Sequence, residues 1–139
     1  MKNNMSLKFD ALPENESFAR SVVAAFCVPC NPTMEIINDI KTAISEAVTN
    51  CIVHGYENSR NGEILIEASI EDTTLKVKIS DYGKGIINIE EALTDFFTSQ
   101  EEDERSGLGF TIMKSFMDSL GVESIPGSGT TVEMTKRLA

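Results

Sequence analysis

Three short stretches hold the side chains from which chemistry could be built. In ISEAVTNCIVHGYEN, Glu46, Asn50 and His54 stand four residues apart. On a helix they form one row. The row runs beside an apolar stripe of Ile36, Ile40, Ile44, Ala47 and Cys51, not opposite it. The three polar groups therefore stand where a core meets solvent or a ligand. Taken alone, such a row is a solvated helix edge. An acid and an amide on one face also suit Mg²⁺, which prefers oxygen ligands, keeps several waters and takes the rest from phosphates. Asn50 offers a neutral oxygen, and Glu46 can order a water or accept a proton from an attacking hydroxyl.

The second stretch is DYGKGI, residues 81–86, directly after the alternating run TTLKVKIS. A carboxylate at a strand end, lowered into a pocket, can accept a hydrogen bond from an exocyclic amine such as that of adenine. Gly83 and Gly85 leave room for a flat ring. By itself, Asp-x-Gly is only a turn former. The third stretch is SGLGF, residues 106–110, where Gly107 and Gly109 flank Leu108 ahead of an expected helix. Glycines let the backbone approach a ligand, and unpaired N–H groups at a helix start favour an anion. That is a phosphate site in principle. The stretch is not a Walker A loop, for no Gly-Lys-Ser or Gly-Lys-Thr occurs, and no strand leads into it as a dinucleotide fingerprint requires.

These residues need a scaffold. Residues 6–11 read as a short edge strand. The run ENESFARSVVAAF reads as a helix with Phe18, Val22 and Phe26 on one face and Arg20 off it. CVPCNP breaks that helix. Thr33 is an N-cap for a second helix running to about Gly55. EILIEASIE and TTLKVKIS form a hairpin turning at Asp72. NIEEALTDFF is a short helix, and TSQEEDERSG a polar loop without periodicity that could act as a lid. GLGFTIMKSFMDSLG reads as a helix opened by glycines and closed by Gly121, with Phe110, Met113, Phe116, Met117 and Leu120 in the core. Two strands around a GSG turn end the chain. Strands with one apolar face plus several helices predict a two-layer α/β sandwich, a mostly antiparallel sheet with helices on one face.

The 139 residues suffice for one domain, and a formal net charge of −10 repels phosphate backbones, which argues against nucleic-acid binding. No apolar run spans a bilayer and the first ten residues lack a signal-peptide core, so a cytoplasmic protein without a membrane partner is expected. Cys27, Cys30 and Cys51 are expected to be reduced, since His54 is the single histidine and a zinc site would need two further ligands beside the CVPC pair.

The stretches EAVTNCIVHG, DYGKGI, SGLGF and GSGTT occur in that order, and the combination resembles the GHKL ATP-binding family, which includes histidine kinase catalytic domains, gyrase B and MutL. The resemblance implies the GHKL (Bergerat) fold over one domain, residues 1–139. In the family pattern Asn50 matches the Mg²⁺ ligand and Glu46 the acid one turn earlier. Asp81, Gly83 and Gly85 match the adenine box. Gly107, Leu108 and Gly109 match the phosphate loop, and Thr130 a threonine supporting the adenine aspartate. NESFARSVVAAF, ISEAVTNCIVHGYEN, ERSGLGFTIMKSFMDS and PGSGTTVEM look more closely like the anti-sigma factor kinases of endospore-forming bacteria, over essentially the whole chain. Tyr82, Gln100 and Ser128 depart from that pattern. This resemblance implies a homodimeric serine kinase using ATP, with ADP as product, and Mg²⁺. Its implied partners are a sporulation sigma factor of the sigma F type, which it inhibits, and an anti-anti-sigma protein, which it phosphorylates. Glu46 would be the general base and Arg105 a clamp on phosphoryl charge. Arg105 reads equally as a solvated charge. Arg20 would face a protein partner. Two rivals remain open from sequence: a nucleotide-gated binding module that transfers nothing, and a detached histidine kinase catalytic domain.

Overall fold

Period-two alternation builds the sheet. The computed structural model describes residues 1–93 and 104–139, with side chains for all of these except Glu91 and residues 104–108. Strands β1 (Lys2–Asp10), β2 (Glu63–Glu71), β3 (Thr74–Asp81), β4 (Ser119–Ile125) and β5 (Gly129–Arg137) lie in the order β1-β2-β3-β5-β4. Every neighbouring pair is antiparallel. Ile64, Ile66, Ala68 and Ile70 of β2 and Leu75, Val77 and Ile79 of β3 point to one face and are buried. The opposite face is polar: Lys76 and Lys78 each approach Glu133 at 3.7 Å, and the Ser80 and Thr131 hydroxyls share a 2.9 Å hydrogen bond. One apolar and one wet face is how an antiparallel sheet is stabilised by a single helical layer. The β2–β3 hairpin turns through Asp72, whose φ of 57° is a left-handed conformation that aspartate tolerates.

The helical layer is α1 (Glu16–Cys27), α2 (Met34–Asn50), the single turn α3 (Ile89–Ala92) and α4 (Glu104–Phe116). α2 packs against both α1 and α4, and their apolar faces join the sheet in one core. α2 starts as expected: the Ile36 N–H donates to Thr33 Oγ1 at 3.2 Å, satisfying a donor that would otherwise be orphaned. Its buried positions Ile40, Ala43, Ile44, Ala47 and Val48 continue into Cys51 and Ile52 through a π-helical turn, Cys51–Gly55. Such turns widen the helix by one residue and are frequent at functional sites.

The structure corrects several expectations. α1 buries Ala19, Val23, Ala24 and Cys27, while Phe18 is 49% exposed and meets Phe9 edge to face at 6.4 Å. The small residues let α1 lie close to α2, and the aromatic row is displaced to the rim. The glycines Gly107 and Gly109 lie inside α4 and not ahead of it. That helix stops at Phe116, and Gly121 sits within β4. Phe110, Met113 and Met117 are buried and Leu120 packs on the core, but Phe116 is exposed. Of the expected polar loop, residues 98–103 fall outside the described residues and 104–107 are helical.

Candidate functional site

The end of α2 and the end of β3 meet at Asp81. Among the described residues Asp81 is the only buried charged side chain, 6% exposed. Its Oδ1 accepts the Gly83 N–H at 2.9 Å, an Asx-type turn that folds the chain back over the strand end. Thr130 and Cys51 line the same cavity as Asp81. Register places Thr130 there, since it is the cross-strand partner of Asp81, and the π turn carries Cys51 there. Burial pushes the Asp81 carboxyl above the ordinary carboxylate range, and hydrogen bonding, first from the Gly83 N–H, pulls it partly back. Burial, and then the negative charge of Asp81, push the Cys51 thiol well up.

Glycines permit this convergence. A Cβ on Gly55 would stand 2.8 Å from the Asp81 carboxyl, and one on Gly83 would collide with the Gly55 carbonyl oxygen. The loop after β3 is then strapped from both sides. The Lys84 N–H donates to the Gly55 carbonyl at 3.0 Å, and the Gly127 N–H to the Lys84 carbonyl at 2.6 Å. The Ile86 N–H donates to Ser124 Oγ at 2.7 Å, and Ser124 shares a 2.9 Å hydrogen bond with Thr130 Oγ1. Gly85 takes a φ of 76° where it passes the Ile125 carbonyl. On the outer side, the Tyr82 N–H donates to the Tyr56 hydroxyl at 2.7 Å, and that hydroxyl donates to the Glu63 carbonyl.

Together these elements enclose a cavity of about 640 Å³. Asn50, Cys51, His54, Asp81 and Thr130 bring polar atoms to its wall, and Ile86, Ala92, Phe110 and Val132 make the rest of it apolar. A few placed polar groups in an apolar cleft of this size is how small-molecule sites are built. A second depression, about 430 Å³ and more open, lies on the wet face of the sheet among Asn4, Ser6, Glu67, Ser69, Lys76 and Lys78, and has no apolar wall comparable to that of the first.

Of the residues singled out from sequence, Asn50, Asp81, Gly85 and Thr130 line the cavity, and Gly83 abuts it through Asp81. Glu46 stands one turn before Asn50. Gly109, from α4, covers the pair: a Cβ there would lie 3.2 Å from the Asn50 amide and 3.3 Å from Glu46 Oε2. The Asn50 Nδ2 is buried with no hydrogen-bond partner among the described residues. A buried amide end left unsatisfied calls for a ligand. Asn50 and Glu46 offer hard oxygen donors, and no group of three or more His, Cys, Asp or Glu side chains suited to a metal occurs among the described residues. This donor set fits an ion such as Mg²⁺ that completes its shell with water and phosphate. Arg105, Gly107 and Leu108 belong to α4, and their side chains lie outside the described residues. Arg20 does not line the cavity. It donates to Glu16 at 3.0 Å and to Ser45 at 3.3 Å and is 39% exposed.

Sequence reasoning missed Cys51, assigned only to the apolar stripe, and the Ser124 and Tyr56 straps. No local signal marks them, because each meets its neighbours in the site from far along the chain.

Residues 9–136 match the family described as histidine kinase-like ATPase domain. The chain is 52% identical over 139 residues to the anti-sigma F factor of Bacillus licheniformis, covering 100% of this chain and 95% of that one. It is 56% identical over 134 residues to that of Caldanaerobacter subterraneus, covering 96% and 93%, and 50% identical over 139 residues to that of Bacillus subtilis, covering 100% and 95%. Among solved structures, the RsbU and RsbW domains of a Mycobacterium tuberculosis protein superpose with a TM-score of 0.71 at 20% identity, covering 98% of this chain and 32% of the longer one, which shows a shared fold. The ATPase domain implies nucleotide binding. With the cavity, its buried aspartate and these relatives together, the chain belongs to the histidine kinase-like ATPase domain family and, within it, to the anti-sigma F factors.

Proposed function

We propose that the chain is an ATP-dependent protein-serine kinase and anti-sigma factor, acting as a cytoplasmic homodimer. One observation bears most of this reading: a buried carboxylate, held by the Gly83 N–H, faces a largely apolar cavity whose wall also holds an amide with an unsatisfied end. An ionised carboxylate only accepts hydrogen bonds. It therefore selects a base that donates there, as the exocyclic amine of adenine does, and the apolar walls receive the ring faces. The phosphates then extend toward Asn50 and the first turns of α4. Asn50 would hold Mg²⁺, which would supply charge neutralisation in phosphoryl transfer. Gly107, Leu108 and Gly109 offer backbone close to the phosphates, and Arg105 adds positive charge there. Glu46 accepts the proton of the substrate serine as it attacks. The protein that supplies the serine is an anti-anti-sigma factor, and the partner held in the nucleotide-bound state is a sporulation sigma factor of the sigma F type. Arg20, on the exposed side of α1, contributes to a protein contact.

The test separates base from metal ligand. Glu46→Ala should leave ATP binding and partner retention in place while phosphotransfer to serine falls by about 10²–10⁴-fold, the usual range for general-base catalysis. Asn50→Ala should weaken Mg²⁺-dependent ATP binding and every later step together. Normal transfer by Glu46→Ala would remove the proposed mechanism. If the wild-type chain binds ATP and partner but labels no protein serine with radioactive ATP, a nucleotide-gated binding module replaces the kinase.

A further inference from the structure

Ser124 of β4 joins the glycine loop to β5 from behind the cavity wall. Its hydroxyl oxygen lies 2.7 Å from the Ile86 nitrogen, 3.0 Å from the Gly129 carbonyl oxygen and 2.9 Å from Thr130 Oγ1. A serine hydroxyl has one proton to donate and two lone pairs. A backbone N–H only donates and a carbonyl only accepts, so the Ser124 proton goes to Gly129 and one lone pair receives Ile86. The third contact is then a hydrogen bond only if the Thr130 hydroxyl donates it. With all three contacts made, Ser124 is saturated and the direction of the Thr130 proton is set. Ile86 and Thr130 line the cavity, and Ser124 does not. With its single proton turned to Ser124, the Thr130 hydroxyl has only a lone pair to offer a ligand. It offers this from the residue paired across the sheet with Asp81. We propose that Ser124 is a specificity-determining positioning residue: by taking the Thr130 proton it makes Thr130 a second acceptor beside the Asp81 carboxylate, which favours a ligand that presents an amine there over one that presents a carbonyl oxygen. This rests on the adenine-nucleotide reading above and goes beyond it by assigning base selectivity to a side chain outside the cavity.

Removing this hydroxyl has two separable effects. The Ile86 N–H loses its partner and the glycine loop is held less firmly, which weakens every base alike. The Thr130 hydroxyl, released from Ser124, is also free to turn its proton into the cavity. It can then donate to a carbonyl oxygen, which guanine presents where adenine presents its amine. The first effect lowers affinity and the second changes preference. A serine that only braced the loop would produce the first without the second.

The experiment is calorimetric titration of the full chain with ATP and with GTP, for wild type, Ser124→Ala, Ser124→Thr and Thr130→Val with and without Ser124→Ala. Circular dichroism of each variant establishes that it is folded. Ser124→Cys, which keeps the shape and hydrogen-bonds weakly, carries the same test should the alanine variant not fold. Ser124→Ala should weaken ATP by about two- to tenfold, the worth of one neutral hydrogen bond, and weaken GTP less, so that the ratio between the two nucleotides narrows. Ser124→Thr, which keeps the hydroxyl, should restore the wild-type ratio. In the Thr130→Val background the hydroxyl that Ser124 acts through is gone. Ser124→Ala should there weaken both nucleotides by the same factor and leave their ratio unchanged. Three results would overturn the inference while leaving nucleotide binding intact: an unchanged ATP-to-GTP ratio in Ser124→Ala, a ratio in Ser124→Thr as narrow as in Ser124→Ala, or a further narrowing by Ser124→Ala in the Thr130→Val background. Failure of the wild-type chain to bind ATP, or to prefer it over GTP, would overturn the adenine-nucleotide reading and this inference with it.

Discussion

Asp81→Asn separates what this residue does for the ligand from what it does for the fold. The substitution keeps the shape and removes the charge. In the wild-type cavity the carboxylate accepts from the Gly83 N–H at 2.9 Å and lines the cavity wall, where it can also accept from a ligand. An amide retains one oxygen, enough for the Gly83 N–H, but presents two donors where the ligand amine also donates. The lost charge-assisted hydrogen bond is worth about 1.5–3 kcal/mol, which is roughly 10- to 150-fold in Kd. Stability moves differently. Burial raises the folded-state carboxyl above its unfolded value of about 3.9. The folded chain therefore binds the proton more readily than the unfolded one. The stabilising contribution is present in full below the unfolded pKa and is lost as pH rises through the folded one. An asparagine does not titrate, so the difference in unfolding free energy between wild type and Asp81→Asn should change through that window and be flat above it. The assays are ATP and GTP titration, and urea unfolding of both proteins in the absence of nucleotide from pH 3.5 to 8. Wild-type ATP affinity in Asp81→Asn, or equal wild-type affinities for ATP and GTP, would refute the assignment of Asp81 to the base. A pH-independent stability difference would refute the argument from burial.

Two further substitutions test how the site is positioned. Gly83→Ala drives a Cβ into the Gly55 carbonyl oxygen, so we expect a loss of about 1–3 kcal/mol in unfolding free energy and weaker nucleotide binding, measured by urea denaturation and titration. Thr33→Ala removes the α2 cap far from the cavity. It should cost about 0.5–2 kcal/mol of stability while leaving the ATP Kd of the folded protein unchanged.

How much of this was legible in the sequence depended on the range of the forces involved. The α2 cap at Thr33 and the alternation of EILIEASIE are set by neighbours two to four residues away, and both appear where expected. Asp81 at the end of a strand, followed by glycines, was readable as a lowered carboxylate for the same reason. α1 was misread because Phe18, Val22, Phe26 and Ala19, Val23, Cys27 have the same periodicity. Only the layer beneath decides which row is buried, and close approach to α2 selects the smaller side chains. The extent of α4 was misread because glycine lowers helix propensity by roughly 1 kcal/mol, a local penalty that packing of Phe110 and Met113 against the core outweighs.

The sequence by itself determined the strand faces, the start of α2, the Glu46–Asn50–His54 row and the acid at the end of β3, because a backbone period or a local hydrogen bond specifies each of them. Only the tertiary structure decided that Cys51 and Asp81 share a cavity wall, that Thr130 stands across from Asp81, that Ser124 straps the glycine loop, and that Gly109 closes on Glu46 and Asn50. Those pairings join residues that are strangers in sequence. They are fixed by the β3–β5 register, the π turn at the end of α2 and the packing of α4 on α2, and no short window along the chain contains both members of any of these pairs.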